Sequence, residues 1–522
     1  MGTKTYNNYE DLLTFTRASK GHALRPVSYG TELVTNGDFS DGTTGWILKS
    51  NATIAVVNQE LEVTVTGSGG GFSDNSQGMT TTVGKIYKVT FDARTGTYSG
   101  DFALIINTTA VLYETLSPDM TTYEYIFVAD SSDFDLEFAR ASASTGTVYF
   151  DNVSVKEVLF DQPDGTLTLF EHPNNIPRVE YDADGNRLGL LVEEARTNLV
   201  TYSEDFTESS WGKFDTTISA DATASPDGIN NADKIIEGSG SSIHRINTAA
   251  TIVSGTSYTA SAFVKADERS IVLLRTNNGS TDEDTYFDLS SGSITSGSGL
   301  ISDLGNGWFR VSRTFTASAS TTSSFIYQVL LVSSGTTTSY AGNGTSGIYI
   351  YGAQLEAGSF PTSYIKTTGS TATRSADVAS IPVADFGFNA SAGSFVLDAS
   401  WAGNSPDVST LVHLGDTSDR HLVYYNNGFY RYQVKSGNVV TVQMVASGSE
   451  ENDVVAASYK KDSYFFGDGS AINSDTSGDL PTEVLTTLDI GGYSSDNHFN
   501  GHIKSIKYYP RQLTSAQLGD LV

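Results

Sequence analysis

Two carboxylates set about 5–10 Å apart hydrolyse glycosidic bonds, one as proton donor and the other as base or nucleophile. Sandwich-fold glycosidases carry such acids alternating along one strand, as Glu-x-Asp-x-x-Glu, and no segment of this chain reads that way. The densest acid runs, Thr281-Asp282-Glu283-Asp284 and Glu450-Glu451-Asn452-Asp453, read as solvated turns. His498 and His502 have the four-residue spacing that joins two metal ligands on a helix, but HFNGHIKSIKYY reads as a turn entering a strand. Asp182-Ala183-Asp184-Gly185-Asn186, with Glu193 eleven residues after Asp182, has the outline of a calcium loop. Such a loop needs Gly at its sixth position, where Arg187 stands, so a hairpin turn is the reading. The 7 histidines leave a Ser–His–Asp site open by count, yet no nucleophile elbow lies between a strand and a helix. Cysteine is absent, which excludes thiol nucleophiles, thiolate zinc sites and disulfides. The chain reads as a non-enzyme.

Aromatic side chains offer different chemistry, because their faces stack on the apolar faces of sugar rings while Asp, Asn and Arg bond the hydroxyls. The candidates for carbohydrate binding are Trp308 and Tyr327, together with Trp401, Tyr424, Tyr425, Asn426 and Tyr430. Trp46 and Trp211 each follow a Phe (Phe39, Phe206) at matching places in a repeat, so a shared core role is expected of them.

That repeat governs the elements. Residues 31–46 read TELVTNGDFSDGTTGW, and residues 197–211 read TNLVTYSEDFTESSW. Each opens a stretch with a Gly-led alternating strand (GKIYKVTFDAR from Gly84, GTSYTASAFVKAD from Gly255). Each closes on another, GTVYFDNVSVKEV from Gly146 and GIYIYGAQLEAG from Gly347. Period-two alternation marks half-buried strands, and self-similarity marks a chain built of modules. With 50 Gly, 11% aromatic and 17% charged residues, the composition suits many short strands joined by tight turns. The expected fold class is all-β, built of tandem β modules. The expected boundaries are an N-terminal attachment segment at 1–30, a first module at 31–158 and a connecting β element at 159–196. A second module at 197–366, a linker at 367–384 and a third, unrelated module at 385–522 follow. Only the tail LTSAQLGDL reads as a helix, capped by Thr514.

A net charge of −29 disfavours nucleic acid and anionic membrane surfaces. No run of about 18 apolar residues is present to span a bilayer, and MGTKTYNNYEDLLTF lacks a signal-peptide core, so synthesis in the cytoplasm is expected.

LVTNGDFSDGTTGW and YFDNVSV resemble the jelly-roll carbohydrate-binding modules appended to polysaccharidases. That resemblance implies a structural calcium, with Asp151 as the matching ligand and Asp38 and Glu32 as companions. In the second module the matching position is Gly352. EEARTNLVTYSEDFTESSW, LGNGWFRVSRTFTA and TRSADV resemble modules of tailed-bacteriophage fibre and head-spike proteins. Such proteins carry F-T-R-A-S, N-x-P-R-x-x-Y-D and G-L-L-x-E directly before that module. Here Phe15–Ser19 stands far from Asn175–Arg178, as though the first module were inserted between two halves of one discontinuous element. SFVLDASW and LDIGGYSSDNHFNGHIKSIKYYPRQLTSAQL resemble a concanavalin A-like sandwich of laminin-G type. The resemblance implies a non-enzymatic virion surface protein (fibre, spike or decoration component) adhering weakly to host surface glycans. Its partners would be other virion proteins, and it would be a homo-oligomer, with a trimer favoured although no heptad run is present. The alternatives are a structural capsid or tail scaffold and a secreted glycan-binding protein.

Overall fold

The computed structural model describes residues 12–67, 69–73, 78–141, 144–401, 408–447, 453–492 and 498–522. The chain divides into two compact units, one of residues 26–166 and one of residues 1–25 and 167–522. The first module is therefore an insertion. The chain leaves the larger unit after Arg25 and returns to it at Leu167.

The inserted unit is a sandwich of antiparallel sheets. One runs in the order Ile47–Leu48, Gly71–Ser73, Leu136–Arg140, Asp101–Ile106, Thr109–Thr115. The other is built on Thr121–Val128, Ile86–Thr95 and Gly146–Phe160, with Ala52–Val57 and Glu60–Val65 alongside. Alternation in Ile86–Thr95 turns Val89, Phe91 and Ala93 inward. They meet Phe72, Phe138 and Phe150, whose rings lie 4.9–5.1 Å apart. Burying such a side chain is worth about 1.5–3 kcal/mol, which is what holds two faces of period-two strands together.

In the larger unit, residues 197–366 form a second sandwich of two six-stranded sheets among the described residues. The repeat is legible in its details. Trp46 donates its indole N–H to the carbonyl of Asn36, and Trp211 donates to that of Tyr202, both at 2.8–2.9 Å. Both tryptophans are core residues, each against its Phe. Gly84 and Gly255 both adopt φ near +80° and donate to Ala129 and Ala317, both at 2.8 Å. The Tyr87 and Tyr258 hydroxyls accept from the backbone N–H groups of Thr82 and Val253, both at 3.0 Å. Each closing strand bulges at a residue of positive φ, Asn152 in one copy and Gly352 in the other. The bulge aligns Gly352 with Asn152 and Tyr351 with Asp151, which corrects the sequence pairing of Gly352 with Asp151.

The C-terminal sandwich is not contained in 385–522. One sheet runs Thr14–Thr16, Val378–Pro382, Thr487–Ile490, Val408–Gly415, Arg420–Asn426, Phe429–Ser436, Val439–Ser447. The other runs Arg178–Tyr181, Arg187–Val192, Gly501–Tyr509, Ala392–Trp401, Asp453–Lys460, Ser463–Asp468, Ile472–Asp475. Phe15, Leu190, Val192 and Ala379 share one core with Phe395, Leu397, Tyr432 and Phe466. The expected linker at 367–384 is two strands, Ala372–Arg374 on Arg196–Asn198 and Val378–Pro382 between two partners. Its Ser/Thr/Ala composition hid them. The acid run at 282–284 belongs to a strand, Asp282–Asp288, and is not a turn. Arg275 grips Asp284 through two bonds of 2.7 and 2.8 Å, and Arg313 bonds Glu283. Of the second run, Glu450, Glu451 and Asn452 lie outside the described residues, and Asp453 opens a strand. Asp182 closes its hairpin turn by accepting from the N–H groups of Asp184 and Asn186. The tail helix Ser515–Gly519 is capped by Thr514 in a reciprocal box with Gln517.

The segments that carried the phage resemblance meet at one buried point. Arg17 of FTRAS, Arg178 of NIPR, Glu193 of GLLVE, and Arg374 and Asp377 of TRSAD are all at most 2% exposed. Asp377 takes Arg17 at 3.2 Å and Arg178 at 2.5 Å, and Arg178 also bonds Glu193 at 2.8 Å. Arg374 stands 3.4 Å from Glu193. Ser363 of the second sandwich gives Glu193 two further bonds at 2.6 and 2.7 Å. Arg17 also donates to the carbonyls of Ser19, His172, Pro173 and Ile176. Buried charges persist only when paired and hydrogen-bonded, and here the pairing ties together four stretches of chain.

Candidate functional site

The aromatic candidates separate by the phase of their strands. Trp308 is 2% exposed and donates its indole N–H to the carbonyl of Ala224. Tyr327 is fully buried and bonds the carbonyl of Ser261. Tyr425 and Tyr430 face the core of the C-terminal sandwich as cross-strand partners, their rings 5.3 Å apart. Burial removes these four from any sugar-stacking role, a correction to the sequence expectation. Trp401 is half-buried, packed on Phe499 at 4.2 Å and Tyr425 at 5.1 Å. Its indole N–H is buried without an acceptor among the described residues.

Tyr424 and Asn426 remain on the outer face. Two tight turns build that face. Asn427-Gly428 and Gly437-Asn438 both take positive φ at each position, the geometry that joins twisted strands into hairpins. Strands Arg420–Asn426, Phe429–Ser436 and Val439–Ser447 then lie side by side. His421, Val423, Tyr425, Tyr430, Tyr432, Val434, Val442 and Met444 point inward. Their alternate neighbours point out, placing Tyr424, Arg431 and Val445 in one row and Gln433 and Gln443 in the next. Arg420 donates to Gln433 at 2.6 and 3.1 Å, Gln433 to Gln443 at 2.8 Å, and Gln443 to the Tyr424 hydroxyl at 3.3 Å. The row thus presents a half-exposed aromatic ring among amide and guanidinium donors on a rigid sheet, which is what a sugar platform requires. Sequence reading missed Arg431, Gln433 and Gln443. The alternation of FYRYQVKS would have found them once the inward phase of Tyr430 and Tyr432 was fixed.

A concavity in the inserted unit has a volume of about 270 Å³ and is lined by Gly78, Met79, Thr80, Asn107, Asp133, Phe134 and Asp135. Asn107 and Thr108, both at positive φ, make the tight turn that presents it. The Asn107 side-chain oxygen accepts from the Asp135 N–H at 2.9 Å. One Asp135 carboxylate oxygen is buried with no donor among the described residues.

The residues implied for calcium do not fit a shared ion. The Glu32 carboxylate accepts from the N–H groups of Val34 and Val155 at 3.0 and 2.8 Å and from the Ser154 hydroxyl at 2.5 Å. Asp38 closes a local turn on the N–H and hydroxyl of Ser40. Asp205 does the same on Thr207 in the second copy, so this turn belongs to the repeat. Asp151 accepts from the Asn152 N–H, and its pKa is raised, first by burial and then by the charges of Asp92, Glu60 and Asp38. Among the described residues no three His, Asp or Glu side chains group as metal ligands do. His502 pairs with Glu180 at 2.6 Å, and His498 is buried.

No family model and no curated protein matches the chain. Among solved structures it is similar to the N-terminal CBM22-1–CBM22-2 tandem domain of Xyn10C from Paenibacillus barcinonensis. That match has 12% identity and a TM-score of 0.21, over 63% of this chain and 98% of that one. It is also similar to domains LG4-5 of the mouse laminin α1 chain, with 11% identity and a TM-score of 0.19, over 66% of this chain and 96% of that one.

Proposed function

We propose that this chain is a non-catalytic surface protein of a tailed-phage particle that adheres weakly to host glycans. The observation that carries the adhesive part is the outer sheet face around Tyr424. There an aromatic ring, two glutamines and Arg431 are held in place by strands and not by loops. Weak contacts of this kind gain strength when many copies act together on one particle. The non-catalytic part rests on the sequence, in which no segment carries the alternating acids of the sandwich-fold glycosidases. The virion part rests on the resemblance of FTRAS, NIPR, GLLVE and TRSAD to phage fibre and head-spike proteins. It gains weight from the meeting of these four segments at Asp377 and Glu193, because the likeness then spans one packed unit.

The test of placement is sedimentation with particles released at lysis. An antibody to the chain should decorate the particle surface, and recovery of the chain solely in the soluble fraction would overturn the virion reading.

A further inference from the structure

We infer that the face formed by Arg420–Asn426, Phe429–Ser436 and Val439–Ser447 is a site for acidic polysaccharide, with Arg431 as the residue that reads the anionic group. This rests on the glycan-adhesion reading and names the class of sugar.

The chain carries 60 acidic and 31 basic residues. On this face the balance reverses. Its outward side chains include Arg420, Arg431 and Lys435, and no carboxylate among the described residues. Other arginines are matched to acids, Arg94 to Glu60, Arg269 to Glu237 and Arg275 to Asp284, whereas Arg245 and Arg310 rest on aromatic rings. Arg431 has no such partner among the described residues, and its Nε is buried without an acceptor. It lies between Tyr424 on one neighbouring strand and Val445 on the other. A guanidinium presents a planar fork that suits a carboxylate or a sulfate through two parallel bonds. A ring stacked on Tyr424 would place its anionic substituent beside that fork.

Lys435 lies four residues further along the same strand, about 13 Å at ~3.3 Å per residue. That is farther than one sugar ring reaches, so a ligand engaging both cations is a polymer. Gln433 stands in the row between, bonded to Arg420, which lies directly across from Lys435. The negative charge of the whole molecule opposes the approach of such a polymer, so selectivity resides in contact at these side chains and not in long-range attraction.

The experiment measures binding of the intact chain to four probes: polygalacturonate, its methyl ester, dextran sulfate and dextran. Binding to polygalacturonate, to dextran sulfate or to both, at least tenfold tighter than to the matching uncharged form, is expected. Which of the two binds distinguishes a carboxylate from a sulfate ligand. Arg431→Ala should weaken that binding tenfold or more with the thermal transition unchanged, and Arg431→Lys should restore only part of it. Equal binding of charged and uncharged forms would overturn the inference and leave glycan adhesion standing. Acidic binding untouched by both Arg431→Ala and Tyr424→Ala would also overturn it, by placing the site elsewhere. No binding to any probe or to host envelope polysaccharide would overturn both readings.

Discussion

At the scale of single residues, the charges with the greatest structural consequence are the buried ones. Asp377 is fully buried between Arg17 and Arg178 and also accepts the Glu193 N–H at 2.9 Å. Removing one partner of such a cluster strands the others, so Asp377→Ala should destabilise the larger unit by about 3–5 kcal/mol. Urea unfolding of wild type and variant measures this. Burial, the largest influence on Glu193, would raise its pKa, but Arg374, Arg178 and the Ser363 bonds outweigh it and hold the carboxyl far below the usual range. Its contribution is present above the unfolded carboxylate pKa and lost only as pH falls through strongly acid values. Asp233 behaves oppositely. Burial, followed by the charges of Asp205 and Asp221, outweighs two backbone hydrogen bonds and raises its pKa from 3.8 to about 6. Between those values the folded chain holds a proton that the unfolded chain has lost, so stability falls as pH rises through this window. Asp233→Asn should flatten that slope in unfolding midpoints measured from pH 4 to 7. The sequence named Tyr424 and Tyr425 together, although neighbours on a strand point to opposite faces. Which one faces out depends on the phase set by His421 and Val423, and that phase needs the partner strands.

At the scale of elements, the repeat was legible because both copies keep the same turn and capping residues. Phe39 with Trp46 and Phe206 with Trp211 fill matching core positions, and Gly84 and Gly255 make matching turns. The bulge was not legible, since Asn152 and Gly352 share a conformation and not a residue type. A Cβ on Gly352 would stand 2.6 Å from the Phe263 ring, at φ +59°. Gly352→Ala should therefore cost about 1–3 kcal/mol. Asn152→Gly should stay within about 1 kcal/mol, because glycine takes that φ freely. Thermal melts of both variants test the equivalence of the bulges. Short strands were the other blind spot. Thr14–Thr16 is too brief to show a period, and it is defined by its pairing with Val378–Pro382.

At the scale of the molecule, the fold class and the number of sandwiches were readable from composition and alternation, but the ownership of strands was not. Strand pairing between residues 15 and 379 leaves no local mark. Phe15, Leu190 and Val192 each bury an apolar side chain in the C-terminal core, worth about 1.5–3 kcal/mol apiece. A fragment of residues 385–522 alone should fail to fold cooperatively. A chain with residues 26–166 replaced by a short Gly/Ser turn should keep a single cooperative transition, as followed by circular dichroism. The same integration lets the face around Tyr424 and Arg431 sit on a rigid, discontinuous sandwich.

Adhesion without catalysis is most directly tested by calorimetric titration of the intact chain with an acidic polysaccharide such as polygalacturonate, with reducing ends assayed in the same sample. Saturable binding with a constant count of reducing ends is the expected result. A rising count of reducing ends, or no binding to this or any host envelope polysaccharide, would contradict it.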